Sequence, residues 1–381
     1  SKLSKRGDVE CFFVTKHQSG IRDGVRRIGY TPKGGATRDT HYCSRTFENA
    51  VWHAHAVYEA CKAEPGLKPD LIVGHSGFGS TVFLSELYDC PIVNLFEFYY
   101  RAHGSDLDFR PEFPTLEINY LRSHTRNAMI LLDLETCAAG YTPTAWQRSL
   151  FPKAWKSKLD VIHDGIDTEF WMRRNVARRI GDEEIPEGTR IVTYVSRGLE
   201  SMRGFDVFVR VAKRIAAEMH NVLFVVVGGD HVHYGSDLSH IRTKTFREHV
   251  LLQEQPDLSR FRFLGVVSKQ QLAEIFSLSD LHIFLTVPFV LSWSMLNALS
   301  CECVVVASAT APVLEVIGDN ENGLLADFHD VDGLTARALE VLKNPKDYRA
   351  LGKSGRALIE ERYSLDATFP QIWDLYNRVL R

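Results

Sequence analysis

Pro288-Phe289-Val290-Leu291-Ser292-Trp293-Ser294-Met295-Leu296-Asn297-Ala298-Leu299-Ser300, running into Cys301-Glu302-Cys303-Val304-Val305-Val306-Ala307-Ser308, decides the fold. The apolar segment before it, Leu281 to Thr286, reads as a buried parallel strand. A short loop follows, Ser292 and Ser294 open a helix, and Val304 to Ala307 forms the next strand. Strand, loop, helix and strand in that order make an α/β unit. A loop ending at a helix N-terminus is also an anion site, because the first amides lack intrahelical partners and sit at the positive end of the helix dipole. A phosphate over Val290, Leu291, Ser292, Trp293 and Ser294 would be held largely by backbone.

Outward from this stretch the alternation continues. In the second half Arg190 to Val195, Val222 to Val227 and Arg262 to Leu264 read as further strands. Phe205 to Glu218, Lys269 to Leu278 and Leu334 to Leu342 read as helices. The first half offers strands at Cys11 to Val14, Leu71 to Val73, Pro91 to Phe96, Met129 to Leu132 and Val161 to Ile162, with a helix over Thr46 to Ala63. Two doubly wound α/β domains are therefore expected, 1–165 and 166–367, with the change of domain in the polar stretch Asp164 to Gly188. Composition agrees, since 381 residues with 45% hydrophobic and 24% charged side chains suffice for two cores. A net charge of −3 gives no general attraction to nucleic acid. No apolar run approaches the ~20 residues of a membrane span, and no signal-peptide segment opens the chain, so a cytoplasmic location is expected. Seven cysteines without metal-finger spacing fit reduced thiols.

The quoted residues resemble the C-terminal domain of retaining GT-B glycosyltransferases of glycosyltransferase family 4. That family's pattern is Glu, seven residues, Glu, then Ala-Met-Ala-x-Gly-x-Pro-Val-Val-Ala-Ser. Here Phe289 stands for the first glutamate, Asn297 for the second, Glu302 for the glycine and Val304 for the proline. A branch of the family with Pro-Phe-Val-Leu-Ser-Trp-Ser also lacks the first glutamate. Tyr194-Val195-Ser196-Arg197-Gly198-Leu199 and Met202-Arg203-Gly204-Phe205-Asp206 are similar to the segments whose Arg and Lys hold the donor diphosphate, with Arg in both places. Val227-Gly228-Gly229-Asp230 ends a strand in glycines that permit close approach of a ligand. Gly265-Val266-Val267 resembles the segment that holds the base, Asn297 would face the ribose, and Asp319 to Leu325 matches the closing turn.

The first half matches through Gly74-His75-Ser76-Gly77, a His-bearing loop, and through Phe96-Glu97-Phe98, where many members carry His-Asp. Glu97 is the candidate there for a bond to an acceptor hydroxyl, and Tyr99, Tyr100, Arg101 and His103 extend that side. Trp146 to Lys158 mixes aromatic and basic residues, as a membrane-surface contact would. Asp106-Leu107-Asp108 spells a metal motif of other transferases, but in a polar loop it is discounted.

The resemblance implies a GT-B fold in which a final helix, 368–381, packs back on the first domain and the two domains face a cleft. It implies a UDP- or GDP-sugar donor on the second domain, a saccharide or lipid-linked acceptor on the first, and retention without metal or cofactor. Arg197, Arg203 and Glu97 are the expected catalytic residues, and peripheral association with the inner membrane face is expected. Against the family, Lys2 to Glu10 corresponds to the end of a first helix, so the first strand of the N-terminal sheet is expected to be absent. Asn297, Glu302 and Glu97 leave open a catalytically weakened protein that binds a sugar nucleotide or a partner. A sugar-nucleotide epimerase on the same fold is a further alternative.

Overall fold

The computed structural model describes residues 2–381. The chain divides into two compact units. The first runs through Ala102, resumes over Leu116–His163 and ends with Phe369–Arg381, while the second comprises His103–Thr115 and Asp164–Thr368.

In the first unit the elements are β1 (Phe12–Thr15), β2 (Gly20–Arg22), β3 (Val25–Gly29), α1 (Arg45–Ala63), β4 (Ile72–His75), β5 (Ile92–Leu95), α2 (Glu117–Thr136), β6 (Ala139–Thr142), α3 (Ala145–Ser149) and β7 (Leu159–Val161). They build two sheets, β1-β3-β2 and the wholly parallel β4-β5-β6-β7. Among the described residues β1 pairs only with β3 and β4 only with β5, so the two sheets are not joined. The sequence reading overlooked the β2–β3 hairpin. Its turn is Asp23-Gly24, both with positive φ (52° and 74°), the pair of left-handed residues a two-residue hairpin turn requires.

Met129 to Leu132, expected as a strand, lies in α2 instead. Ser123, Asn127, Ile130 and Leu134 are buried along one stripe at helical spacing; Met129 and Ile130 are buried with it, whereas Leu131 and Leu132 turn to the exposed side. The strand itself is the neighbouring Ala139–Thr142, buried throughout but short and weakly apolar.

The second unit contains a small hairpin, β8 (Arg179–Ile180) with β9 (Glu183–Glu184), then β10 (Arg190–Gly198), α4 (Phe205–Glu218), β11 (Val222–Gly229), α5 (Phe246–Glu254), β12 (Phe261–Phe263), α6 (Lys269–Leu278) and β13 (Leu281–Phe284). It continues with α7 (Trp293–Ser300), β14 (Val305–Ser308), α8 (Ala311–Leu314), β15 (Leu324–Ala326), α9 (Val331–Lys343) and α10 (Arg349–Leu358). The last helix, α11 (Leu365–Leu380), joins the first unit from Phe369 onward, where Leu375 and Tyr376 share a core with Val93 and Tyr141. The six strands are parallel in the order β12-β11-β10-β13-β14-β15. Strand order reverses at β10, whose neighbours are β11 and β13. In an open parallel sheet, loops leaving the carboxyl ends on either side of such a reversal part and form a crevice. The loops after β10 and β13 are those the sequence marks for phosphate.

Glu302 follows the end of α7 with φ 59°, in the left-handed conformation that usually selects glycine. An amino acid with a Cβ is strained there, whereas Asn320 at φ 60° has a side chain that tolerates the same region. Glu302→Gly is expected to stabilise the second unit by about 1 kcal/mol, part of the relief being offset by the freer unfolded chain. Denaturant unfolding measures this, and an unchanged or lower midpoint would contradict it.

Candidate functional site

β10 ends in Ser196-Arg197-Gly198, and the chain then turns through Glu200–Gly204 into α4. Gly204 has φ 64°, and a Cβ there would lie 2.7 Å from Leu285 Cβ, so only glycine lets the turn pack against the end of β13. The turn is pinned on every side. The Tyr194 hydroxyl donates to Arg203 O at 2.7 Å, and Val287 N donates to Met202 O at 3.0 Å. Buried Asp237 accepts from Ser201 N at 2.8 Å and from its hydroxyl. Glu200, wholly buried, accepts from the amides of His233 at 2.7 Å and Tyr234 at 3.0 Å. Burial raises the carboxyl pKa of both acids, against the opposing pull of those hydrogen bonds.

Arg203 is the product of this bracing. Its side chain donates to the Thr286 hydroxyl at 2.8 Å, and its guanidinium lies 5.2 Å from the Tyr234 ring centre and 5.8 Å from that of Phe289. The residue is 9% exposed, yet no carboxylate forms an ion pair with it among the described residues. Phe289, in the position of the family's first glutamate, thus contributes an aromatic face to the arginine. Arg197, near the end of β10, is exposed; burial, then the charge of Arg197 and then that of His231 lower the pKa of His233.

The loop after β13 brings the second half of the site. Ser292 caps α7, accepting from Ser294 N at 3.3 Å, so the first turn of an eight-residue helix opens beside the Thr286–Phe289 segment that holds Arg203. Leu291 is buried, and only its backbone can serve a ligand, whereas Val290, Ser292, Ser294 and Asn297 are half-buried and Trp293 is exposed. On the other side Gly228 N donates to Gly265 O at 2.9 Å, and a Cβ on Gly228 would lie 2.7 Å from Ser196 O. This brings Ser196, Gly228, Gly229 and the Val266–Val267 segment together. Val266 is 83% exposed, and Asp230 is tied to Arg247 at 2.9 Å. The expected donor residues therefore gather along one edge. Glu200, Tyr234, Asp237 and Thr286 were missed, having no motif of their own.

In the first unit His75 Nε2 lies 3.5 Å from the Glu97 carboxylate, at the ends of adjacent strands, and both are half-exposed. Their loop is held by buried Asp133, which accepts from Gly77 N and the Ser76 hydroxyl, each at 2.9 Å. Tyr99 is buried against Phe151 under Arg101, and Tyr100 carries the Arg126 guanidinium 3.6 Å from its ring centre. Tyr99 is thus taken up by packing, whereas Tyr100 remains half-buried. Arg101 itself donates to Leu150 O, and His103 belongs to the second unit. The basic residues of Trp146–Lys158 also turn to the protein: Lys158 Nζ donates to Leu134 O and Cys137 O, Lys156 Nζ to Ser149 O, and Arg148 to Lys156 O. Capping carbonyls occupies these three, while Lys153 stays exposed. Among the described residues no group of three or more His, Cys, Asp or Glu side chains is placed to hold a metal ion.

A buried guanidinium without a carboxylate, beside a helix N-terminus, is suited to a diphosphate. Arg203→Ala is expected to weaken binding of a nucleoside diphosphate by about 1.5–3 kcal/mol, the worth of a charged hydrogen bond. Arg203→Lys should recover part of this, since an ammonium retains the charge but not the fork. Calorimetry showing parental affinity in Arg203→Ala would remove Arg203 from the site.

Comparison with known proteins agrees with this geometry. A model described as glycosyl transferase family 4 group matches residues 7–171, and one described as glycosyl transferases group 1 matches residues 177–358. N-acetyl-alpha-D-glucosaminyl L-malate synthase of Bacillus anthracis is 23% identical over 58% of this chain and 54% of its own length. The chain thus spans about half the length of the curated relatives it matches. Among solved structures, sucrose-phosphate synthase of Thermosynechococcus elongatus superposes with a TM-score of 0.69 at 18% identity, covering 93% of this chain and 83% of the other. Anabaena HepE in complex with UDP and glucose gives 0.67 at 14% identity, covering 93% and 87%. The fold is GT-B, and the chain, a family 4 group segment followed by a group 1 segment, belongs to the GT-B glycosyltransferases.

Proposed function

We propose that the protein transfers a hexose-type sugar from a UDP- or GDP-sugar to a saccharide or lipid-linked acceptor, with retention at the anomeric carbon and without a metal. The observation that carries this reading is the unpaired, nine-tenths-buried Arg203 at the reversal point of a parallel sheet. A sugar nucleotide's diphosphate supplies the direct anionic partner that Glu200, which only feels the charge of Arg203 from outside ion-pair distance, does not. As the glycosidic bond breaks, charge builds on the leaving phosphate, where Arg203, Arg197 and the Val290–Ser294 amides stabilise it without rearranging. One of its oxygens takes the acceptor's proton on the face where the bond broke, so that the new bond keeps the original configuration. Asn297, half-buried on α7, bonds the ribose hydroxyls. Glu97, oriented by His75, accepts from an acceptor hydroxyl.

The names of similar proteins support the substrate class: one is a synthase of a glucosaminyl malate, and one was solved with UDP and glucose. The Pro288–Ser294 loop supports assignment to the branch carrying that sequence. No helix among the described residues is long and apolar enough to cross a membrane, and we place the reaction in the cytoplasm, at the inner membrane face when the acceptor is lipid-linked.

A screen of UDP- and GDP-sugars with a saccharide acceptor is expected to give turnover that survives a chelator, with an anomeric coupling constant in the product matching that of the donor. An inverted product, or activity abolished by chelation and restored by a divalent cation, would refute the mechanism. Asn297→Glu separates the transferase from a weakened binding protein. The carboxylate accepts ribose hydroxyls more strongly than the amide, so donor affinity should rise or hold. Loss of donor binding with the fold intact by circular dichroism would move the ribose away from Asn297.

A further inference from the structure

In His103–Thr115 the sequence marks only His103 and the discounted Asp106-Leu107-Asp108, yet this segment of the second unit carries its other buried arginine. Arg110 is 5% exposed and bonds Asp206 through both terminal nitrogens, at 3.3 and 2.8 Å. Its guanidinium lies 5.2 Å from the Phe113 ring centre and 5.0 Å from that of Phe328. Neighbouring Phe109 packs on Phe328 at 5.3 Å and Phe113 on Phe246 at 5.2 Å. These contacts sit directly against the donor turn. Arg110 Nη1 also donates to Ser201 O, the carbonyl that receives the Gly204 amide at 2.9 Å and so closes the turn carrying Arg203. Asp206 stands in the first turn of α4, two residues beyond Gly204. One guanidinium thus fixes both the entrance and the exit of the turn.

We infer that His103–Thr115 is a brace for the donor turn, with Arg110 as the positioning residue that holds Arg203 in place. This rests on the reading of Arg203 as a diphosphate ligand. Arg203 reaches its place through the Glu200–Gly204 turn, and any freedom left in that turn would spread its guanidinium over many positions. Docking the brace removes that freedom before the nucleotide arrives, so binding spends less of its energy on ordering. Linkage makes the effect reciprocal: whatever factor the docked brace adds to nucleotide affinity, bound nucleotide adds to docking of the brace.

Arg110→Met, made in the full chain, tests this. It keeps the apolar contacts with Phe113 and Phe328, and Asp206 retains Arg210 at 2.6 Å, so its carboxylate stays paired. The expected result is about tenfold weaker binding of UDP or GDP, whichever the parent binds. Faster amide exchange at Gly204 and Ser201 is expected even without ligand. In the parent, nucleotide should slow exchange and proteolysis within 103–115. Arg262→Met, which breaks the surface pair with Glu183, serves as a control and should leave all three readings unchanged. If Arg110→Met does not fold, Arg110→Lys retains one charged contact and should show smaller changes of the same sign. Parental exchange at Gly204 and Ser201 in a folded Arg110 variant overturns the brace, as does parental affinity. Failure of the parent to bind any nucleoside diphosphate overturns the functional reading instead, while the ligand-free exchange comparison still decides whether the brace holds the turn.

Discussion

A guanidinium withdrawn from water must find an anion, and the second unit meets that requirement in two different ways. Arg110 is buried and neutralised by Asp206, as structural arginines are. Arg203 is buried nearly as deeply and is bonded to a hydroxyl and flanked by two aromatic rings, with the buried Glu200 carboxyl near enough to feel its charge but not in ion-pair contact. Leaving that charge without a carboxylate costs stability, and the surrounding web of bonds to Glu200, Ser201, Met202 and Arg203 holds the turn in spite of it. The unpaired charge is the functional element. The paired one is part of its support.

The parallel sheet explains why this arrangement stands where it does. Reversal of strand order at β10 separates the loops after β10 and β13, and the α7 N-terminus opens into the space so created. Close packing at Gly204 and Gly228 brings the strand ends near enough for Arg203 to reach Thr286 and for Gly228 to reach Gly265. Without a side chain at those two positions, backbone and cation act on the same small volume.

The sequence carried the second unit legibly because buried parallel strands are continuous apolar runs and its helices show clear periodicity. Phe205–Glu218 and Lys269–Leu278 were read with the bounds they have. The first unit was harder. Met129 to Leu132 is as apolar as a strand and is told from one only by the longer buried stripe around it. The Asp23-Gly24 turn was readable, since this dipeptide between short runs signals a hairpin. Of the site, the glycines, the arginines and the helix start were visible as local motifs. Glu200, Asp237, Arg110 and Asp133 were not, because each acts across many residues of separation through a single side chain and leaves no spacing to recognise. The aromatic and basic residues of Tyr99–Arg101 and Trp146–Lys158 are less legible in composition. Composition suggests surfaces, whereas Tyr99, Arg148, Lys156 and Lys158 are engaged in packing or in capping carbonyls.

The central claim is that the unpaired Arg203 awaits a diphosphate, and a crystal structure of the protein with the nucleoside diphosphate it binds best tests it most directly. The account predicts β-phosphate oxygens at roughly 2.7–3.1 Å from the Arg203 guanidinium and from amides of the Val290–Ser294 segment. A nucleotide seated elsewhere, with Arg203 still bonded only to Thr286, would contradict it.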